Sequence, residues 1–367
     1  MKLKLLAASI AALTFATTSA NAEVKVSTKG GNLKVTSGES SIQFGGRIQY
    51  DYNRAEENGV VDEDNFDVRR ARVDIKGDVN SDWAYKIDYN LDDSEFEDLY
   101  IQYKGWGKAA KVTIGNHRQH FGLNDQTSSK DISILERAAL SELFAPGRSE
   151  GVSLSGQLDG NITYAVGAFF EDLDENDDGE ELAFSGRITW APVKTDTNVV
   201  HLGLAYVNQN DVDGFEDDDN DDEVELEEAF GFEAAYVGGP FHAQFEYADG
   251  TVFDGGEEFD VDGFYVQAGY IITGETRPYK GGKFKRVKPG SKAGAWEVVA
   301  RYEDGNGDFG DIELGDQIGD NEASSYTLGV NYYANNFIRI GASYSDGDED
   351  NGSDDGNEFR VRFQVAF

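Results

Sequence analysis

The chain has 367 residues, and 70 Asp and Glu against 32 Lys and Arg give a formal charge of −38, which would repel nucleic-acid phosphate and excludes nucleic acid as a partner. It has no Cys, which excludes a disulfide framework and thiolate metal sites. Beyond the N-terminus no run of about 18 apolar residues occurs; this excludes a membrane-spanning helix but not a membrane barrel, whose strands carry a far weaker hydropathy signal.

Residues 1–22 read as an export signal, with Lys2 and Lys4 before an apolar run and Ala20-Asn21-Ala22 as a small-residue cleavage site. The alternative is a buried N-terminal helix. Residues 23–40 are polar and Gly/Ser-rich and are expected to form a periplasmic lead-in to a domain over 41–367. From residue 41 the pattern becomes period two, the mark of strands with one apolar and one polar face. In 41–53, Ile48, Tyr50 and Tyr52 share one face, and Arg47, Gln49 and Asp51 the other. In 69–77, Ala71, Val73 and Ile75 oppose Arg70, Arg72, Asp74 and Lys76, while Arg69 falls on the apolar face and is ambiguous. Further segments follow at 83–91, 98–104, 111–116, 151–158, 162–170, 182–190, 200–207, 230–237, 241–247, 264–272, 296–302, 326–333 and 337–344. The last segment alternates Phe359, Val361, Phe363, Val365 and Phe367 with Glu358, Arg360, Arg362 and Gln364.

Sixteen such segments predict an all-β fold, a 16-stranded antiparallel transmembrane barrel wide enough for a water channel. Connections after odd strands are mostly long and those after even strands mostly short, which places both chain ends on the periplasmic side. All four Trp (83, 106, 190 and 296) fall at the periplasmic ends, as an interfacial aromatic girdle requires. Lys and Arg on the strands must face the lumen, because lipid exposure at mid-depth costs ~2–4 kcal/mol each. Lumen-wall bases are therefore expected at Arg47, Lys86, Lys104 and Arg187.

Five external loops, near 171–181, 209–228, 248–262, 303–322 and 345–357, hold no Lys or Arg. They are read as solvated acidic tips, or as divalent-cation bridges to lipopolysaccharide. Within them 217–228 mimics calcium-loop spacing, but Asp222 stands where the turn glycine belongs. The connection 274–293 breaks the alternation, with seven bases against Glu275. It is either a basic periplasmic mouth folded into the lumen or a solvated turn.

The segment 117–149 is too long for an idle loop. It carries Ile132, Ile134, Leu135, Leu140, Leu143 and Phe144 to bury, and Arg118, Lys130, Arg137 and Arg148 as charges. We expect it to fold inward as a constriction loop, with a short helix over 133–143, where scarce water lets charge select ions.

Several stretches together resemble the phosphate-selective porin O and P family. They are Phe44-Gly-Gly-Arg-Ile-Gln-Tyr-Asp51, Val68-Arg-Arg-Ala-Arg-Val73, Ile114-Gly-Asn-His-Arg-Gln-His-Phe-Gly122, Thr127-Ser-Ser-Lys130 with Glu136-Arg137, the run 263–279, and Gly294-Ala-Trp-Glu-Val-Val-Ala-Arg-Tyr302. The resemblance implies a homotrimeric outer-membrane porin of a Gram-negative bacterium, passing phosphate or other small anions and surrounded by lipid and lipopolysaccharide. It further implies that Arg69, Arg70 and Arg72 form a basic strand cluster. Lys130 and Arg137, with Arg118, would be loop bases, Ser128 and Ser129 hydroxyl donors, and Asp98 an acidic partner. Each base is alternatively a wall charge paired with a lumen acid.

Nothing points to an enzyme or a cofactor: His117 and His120 sit in no metalloprotease frame, and no nucleophile motif occurs. Two other functions stay open, a general or cation-preferring porin on the same fold and, more distantly, a soluble calcium-stabilised β protein.

Overall fold

The structure, a computed structural model, describes residues 23–28, 32–170, 182–209, 225–254, 257–308, 320–349 and 356–367. Two short strands come first, β1 (Val24–Ser27) and β2 (Leu33–Ser37). Seven strands and two short helices follow: β3 (Ser40–Glu57), β4 (Val60–Asp78), β5 (Trp83–Asn90), β6 (Phe96–Tyr103), β7 (Lys111–Arg118), α1 (Leu123–Gln126), α2 (Ala139–Leu143), β8 (Arg148–Leu158) and β9 (Ile162–Phe170). The second half is β10 (Leu182–Lys194), β11 (Asn198–Asn208), β12 (Glu225–Gly238), β13 (Phe241–Asp254), β14 (Glu257–Ile271), β15 (Ala295–Asp308), β16 (Asp320–Tyr333), β17 (Ile338–Glu349) and β18 (Gly356–Ala366).

Strands β3 to β18 are sixteen antiparallel neighbours, and β18 pairs back onto β3. That closing seam runs from Ala366↔Arg47 to Gly356↔Glu57, and Gly46 and Phe367 exchange both backbone hydrogen bonds at 3.0 Å. Closure leaves no sheet edge in the barrel, which is what allows strands to cross hydrocarbon with every backbone group paired. The faces are inverted relative to a soluble protein. Phe359, Phe363 and Val365 are 40%, 47% and 41% exposed on the outer face, while Arg362 and Gln364 between them are 1% exposed.

Two turns show the required chemistry. Asn58-Gly59 and Asp159-Gly160 both adopt positive φ (50° and 76°, 49° and 75°), the left-handed pair that joins twisted strands in tight hairpins. The aromatic girdle is present at the ends expected: Trp83 packs tilted against Tyr103 and Trp296 against Tyr332, with ring centroids 5.0 and 4.7 Å apart.

Three features differ from the sequence reading. The lead-in carries strands β1 and β2, and β2 extends the sheet by pairing with the start of β3. The helix expected over 133–143 is confined to Ala139–Leu143, with a second short helix at Leu123–Gln126. Carbonyls of residues 132, 133, 135 and 136 bond to wall guanidiniums instead of to a helical turn. Residues 1–22, read as the export signal, lie outside the described residues, as do the tips of most acidic loops and residues 217–224 of the calcium-loop mimic.

The interior holds two segments, 119–147 and 272–294. Phe121 and Phe144 of the first pack on Val207, Ala229 and Ala248. Leu123 packs with Phe284 of the second against Val199 and Val237. Glycines on the wall make room: a Cβ at Gly231 would lie 2.8 Å from the Phe121 ring, and one at Gly341 2.6 Å from Leu135.

At the seam Arg362 of β18 bonds both oxygens of Asp51 on β3, and Asp51 is fully buried. Arg362→Leu should therefore cost about 3–5 kcal/mol, because a buried carboxylate loses its partner. The loss reads as a lower unfolding midpoint of the barrel in urea. An unchanged midpoint would show that the pair does not hold the seam.

Candidate pore constriction

The loop 119–147 is fastened to one side of the barrel through its own backbone. Arg339 of β17 donates to the carbonyls of Ile132 (2.5 Å) and Ser133 (3.2 Å). Arg301 of β15 donates to those of Glu136 (3.1 Å) and Arg137 (3.0 Å), and Arg362 to that of Leu135. Wall carboxylates take the opposite groups: Glu246 accepts from the backbone N–H of Leu123 (2.5 Å) and Asn124 (2.7 Å), Glu303 from that of Ala139 (2.7 Å), and Glu297 from the Ser133 hydroxyl (2.8 Å). Buried backbone and buried charge thus satisfy one another.

The basic connection 272–294 enters the lumen from the other end. Arg277, 2% exposed, donates to Gln244 (3.1 Å) and to the carbonyl of Asp131 (3.4 Å). Lys283 reaches Gln126 at 3.3 Å, and Lys285 lies 3.7 Å from Asp131. The segment is a tongue packed under the loop rather than a solvated turn.

What stays open lies along β3–β8. A cavity of ≈ 380 Å³ is lined by nine Arg and Lys side chains against two carboxylates, Asp98 and Asp125. A second cavity, of ≈ 370 Å³, opens at the end of the barrel that holds Phe367, where Lys76, Lys130, Arg286 and Lys288 outnumber Asp74, Asp88 and Asp131. Arg47, Arg72 and Lys285 line both. The two spaces therefore meet at three cations. Arg47 there donates to the Ser129 hydroxyl at 2.6 Å and lies 3.5 Å from that of Ser128.

The residues expected at the site separate into groups. Arg47, Arg70, Arg72, Ser128 and Ser129 line the open cavity beside the loop, and Lys130 lines the second one. Lys86, Asp98, Arg118 and Arg148 also line the first cavity but are paired: Asp98 with Lys86 and with Arg148 at 2.9 Å, Arg118 with Asp125. Arg72 pairs with Glu97. Arg137 mainly stitches the loop, donating to the carbonyls of Asp125 (3.3 Å) and Thr127 (3.2 Å). Lys104 pairs with Asp78 at 2.5 Å near the periplasmic rim, and Arg187 is buried against Glu233 (2.6 Å) while holding the Gly282 carbonyl (2.8 Å). Neither of these two lines the cavities. The ambiguity at Arg69 is resolved by a β-bulge: Gln49 faces Arg70 and Tyr50 faces Val68, so Arg69 has no opposite residue. Its side chain reaches Glu136 of the loop at 3.0 Å. The pairing roles of Glu97 and Glu136 went unseen in the sequence, because nothing in strand alternation says which acid meets which base.

Burial lowers the proton affinity of several groups of the filling segments, Lys283 and His120 among them. Lys283, half-buried, partly withdrawn from water and flanked by Arg187 and Lys285, is pushed down to about 7. His120, buried beside His117, is pushed down to about 3 and stays neutral at ordinary pH.

The family described as phosphate-selective porin O and P matches residues 42–367. The chain belongs to this family. Porin O of Pseudomonas aeruginosa is 29% identical over 430 residues, covering 99% of this chain and 97% of that one. Among solved structures, outer-membrane expressed OmpT of Vibrio cholerae shares 15% identity at a TM-score of 0.59, over 90% of this chain and 99% of that one. The anion-selective porin from Comamonas acidovorans shares 12% at 0.59, over 90% and 100%. Family and barrel together make this chain an outer-membrane porin of a Gram-negative bacterium, a channel rather than an enzyme.

The position of Lys283 gives a pH dependence with a definite sign. Its depressed affinity for a proton leaves it neutral above about pH 7 and charged below. In a KCl gradient, anion preference should rise roughly twofold from pH 8 to pH 6, as one cation is added to the lumen. Lys283→Gln should abolish the rise. A flat profile in the unsubstituted channel would contradict this placement.

Proposed function

We propose that the channel passes small hydrophilic anions, oxyanions such as phosphate among them, by way of the strait between the loop and the β3–β8 wall. One observation carries the reading: a chain of net charge −38 lines its open internal cavity with nine bases against two acids. The charge is segregated by position. A permeating anion meets guanidinium and ammonium groups at Arg47, Arg72 and Lys285, with Ser128 and Ser129 as hydroxyl donors beside them. Arg offers a planar fork to an oxyanion and Lys a mobile point charge. Several such sites of moderate strength let an ion enter and leave, which one tight site would not.

The names of relatives agree with this direction, since the family is described as phosphate-selective and the Comamonas acidovorans porin as anion-selective. We also propose a homotrimer. Strands β5, β6 and β7 have only 8 residues each, against 11–19 for most others, and Leu99, Ile101 and Ile114 on them are 40%, 51% and 44% exposed. A low apolar wall of this kind suits burial against partner subunits better than a full lipid span.

The test is the reversal potential of the reconstituted channel in a KCl gradient. Anion preference is expected, and Arg47→Glu with Lys285→Glu should reduce it about tenfold or invert it. Cation preference in the unsubstituted protein would replace this reading with that of a general or cation-preferring porin.

A further inference from the structure

Four guanidiniums converge on one loop carboxylate. Glu136 lies 3.0 Å from Arg69, 3.6 Å from Arg70 and 2.5 Å from Arg360, and also bonds Arg362. Arg69 and Arg70 reach it together because the bulge in β4 leaves Arg69 unpaired in the ladder. Arg360 and Arg362 come from alternate positions of β18. Two further acids touch the cluster, Asp51 behind Arg362 and Glu358 beside Arg360, and both are fixed on strands. Only Glu136 is brought in by the loop. Its side chain and that of Arg69 keep 24% and 40% exposure, and Arg70 lines the same cavity as the constriction. Burial alone would raise the Glu136 pKa, yet the four arginines hold it well below the usual carboxylate range.

We propose that this cluster is a second oxyanion seat beside the strait, occupied by the channel's own Glu136 so that permeating oxyanions pass without lodging there. A carboxylate in a fork of guanidiniums uses the donors that phosphate would use. Being tethered, it is present at an effective concentration of millimolar or more, which free anions must exceed to displace it. Glu136 therefore tunes selectivity by subtraction: it cancels a binding site that would otherwise slow the exit of each ion. The inference rests on the anion-preferring reading for its role in transit, but its test compares two channels and does not need that reading to hold.

The experiment uses full-length Glu136→Gln, reconstituted beside the unsubstituted protein. The KCl reversal potential and the inhibition of chloride current by inorganic phosphate are measured for both. Gln keeps the length and removes the charge. Anion over cation permeability should rise at least about threefold, and phosphate should inhibit at a concentration about tenfold lower. Unchanged selectivity, or higher conductance without stronger phosphate inhibition, would overturn the proposal and leave Glu136 as a loop latch only. Glu136→Asp withdraws the carboxylate by one methylene while keeping its charge. It should strengthen phosphate inhibition in the same direction by a smaller factor. Should the Gln variant fail to assemble, absence of that shift in Asp overturns the proposal equally. A cation-preferring unsubstituted channel would sink the proposed function but leave this comparison readable.

Discussion

Guanidiniums of one wall hold the carbonyls of an irregular loop, and the rest of the interior follows from that contact. Residues 131–137 form no helix, so their carbonyls enter the barrel without intrasegment partners. Arg277, Arg301, Arg339 and Arg362 are nearly buried and could not remain charged there without acceptors. Each group answers the other's need, and neither could be buried alone. Because the clamp takes up the β15–β18 side, the passage is left on the β3–β8 side. The bases that look alike in sequence thereby acquire different work: some hold the loop, and others face the passage.

The same arrangement reconciles an acidic protein with a basic interior. At about 0.15 M ionic strength the Debye length is ~8 Å, so acids on external connections are screened from the strait. Inside, low-dielectric walls strengthen whatever charge remains unpaired. Pairing decides that remainder. Asp98, Glu97 and Asp125 neutralise some cavity bases, while Arg47 rests mainly on serine hydroxyls, with Asp88 4.0 Å away. The tongue contributes Lys285 to both cavities, so the strait is assembled from a strand wall, an external loop and a periplasmic connection.

Much of the fold was legible because period two is a local property. Phe359 to Phe367 show the outer face without any knowledge of a partner strand, and the parity of strand count and loop length gives orientation. The family resemblance pointed to Ser128, Ser129 and Lys130 of the loop, and the structure has these side chains lining the two cavities. Pairings between distant residues were not legible. Alternation placed Arg69 among apolar neighbours, and only the bulge opposite Gln49 and Tyr50 turns it toward the loop. Arg137 looked like a free loop base, yet its fork is spent on carbonyls of residues 125 and 127. The helix expected over 133–143 fell short because wall arginines outcompete helical hydrogen bonds for the same carbonyls.

The central claim is that ions run on one side of the loop only. With no native Cys, single cysteines report this directly. Ser155→Cys on β8 lines the open cavity, and Ser343→Cys on β17, 7% exposed, faces the lumen behind the seated loop. A charged thiol reagent added to the open reconstituted channel should alter current through the first quickly and leave the second unmodified. Equal reaction at both positions would mean that water passes on both sides, and the account would fail.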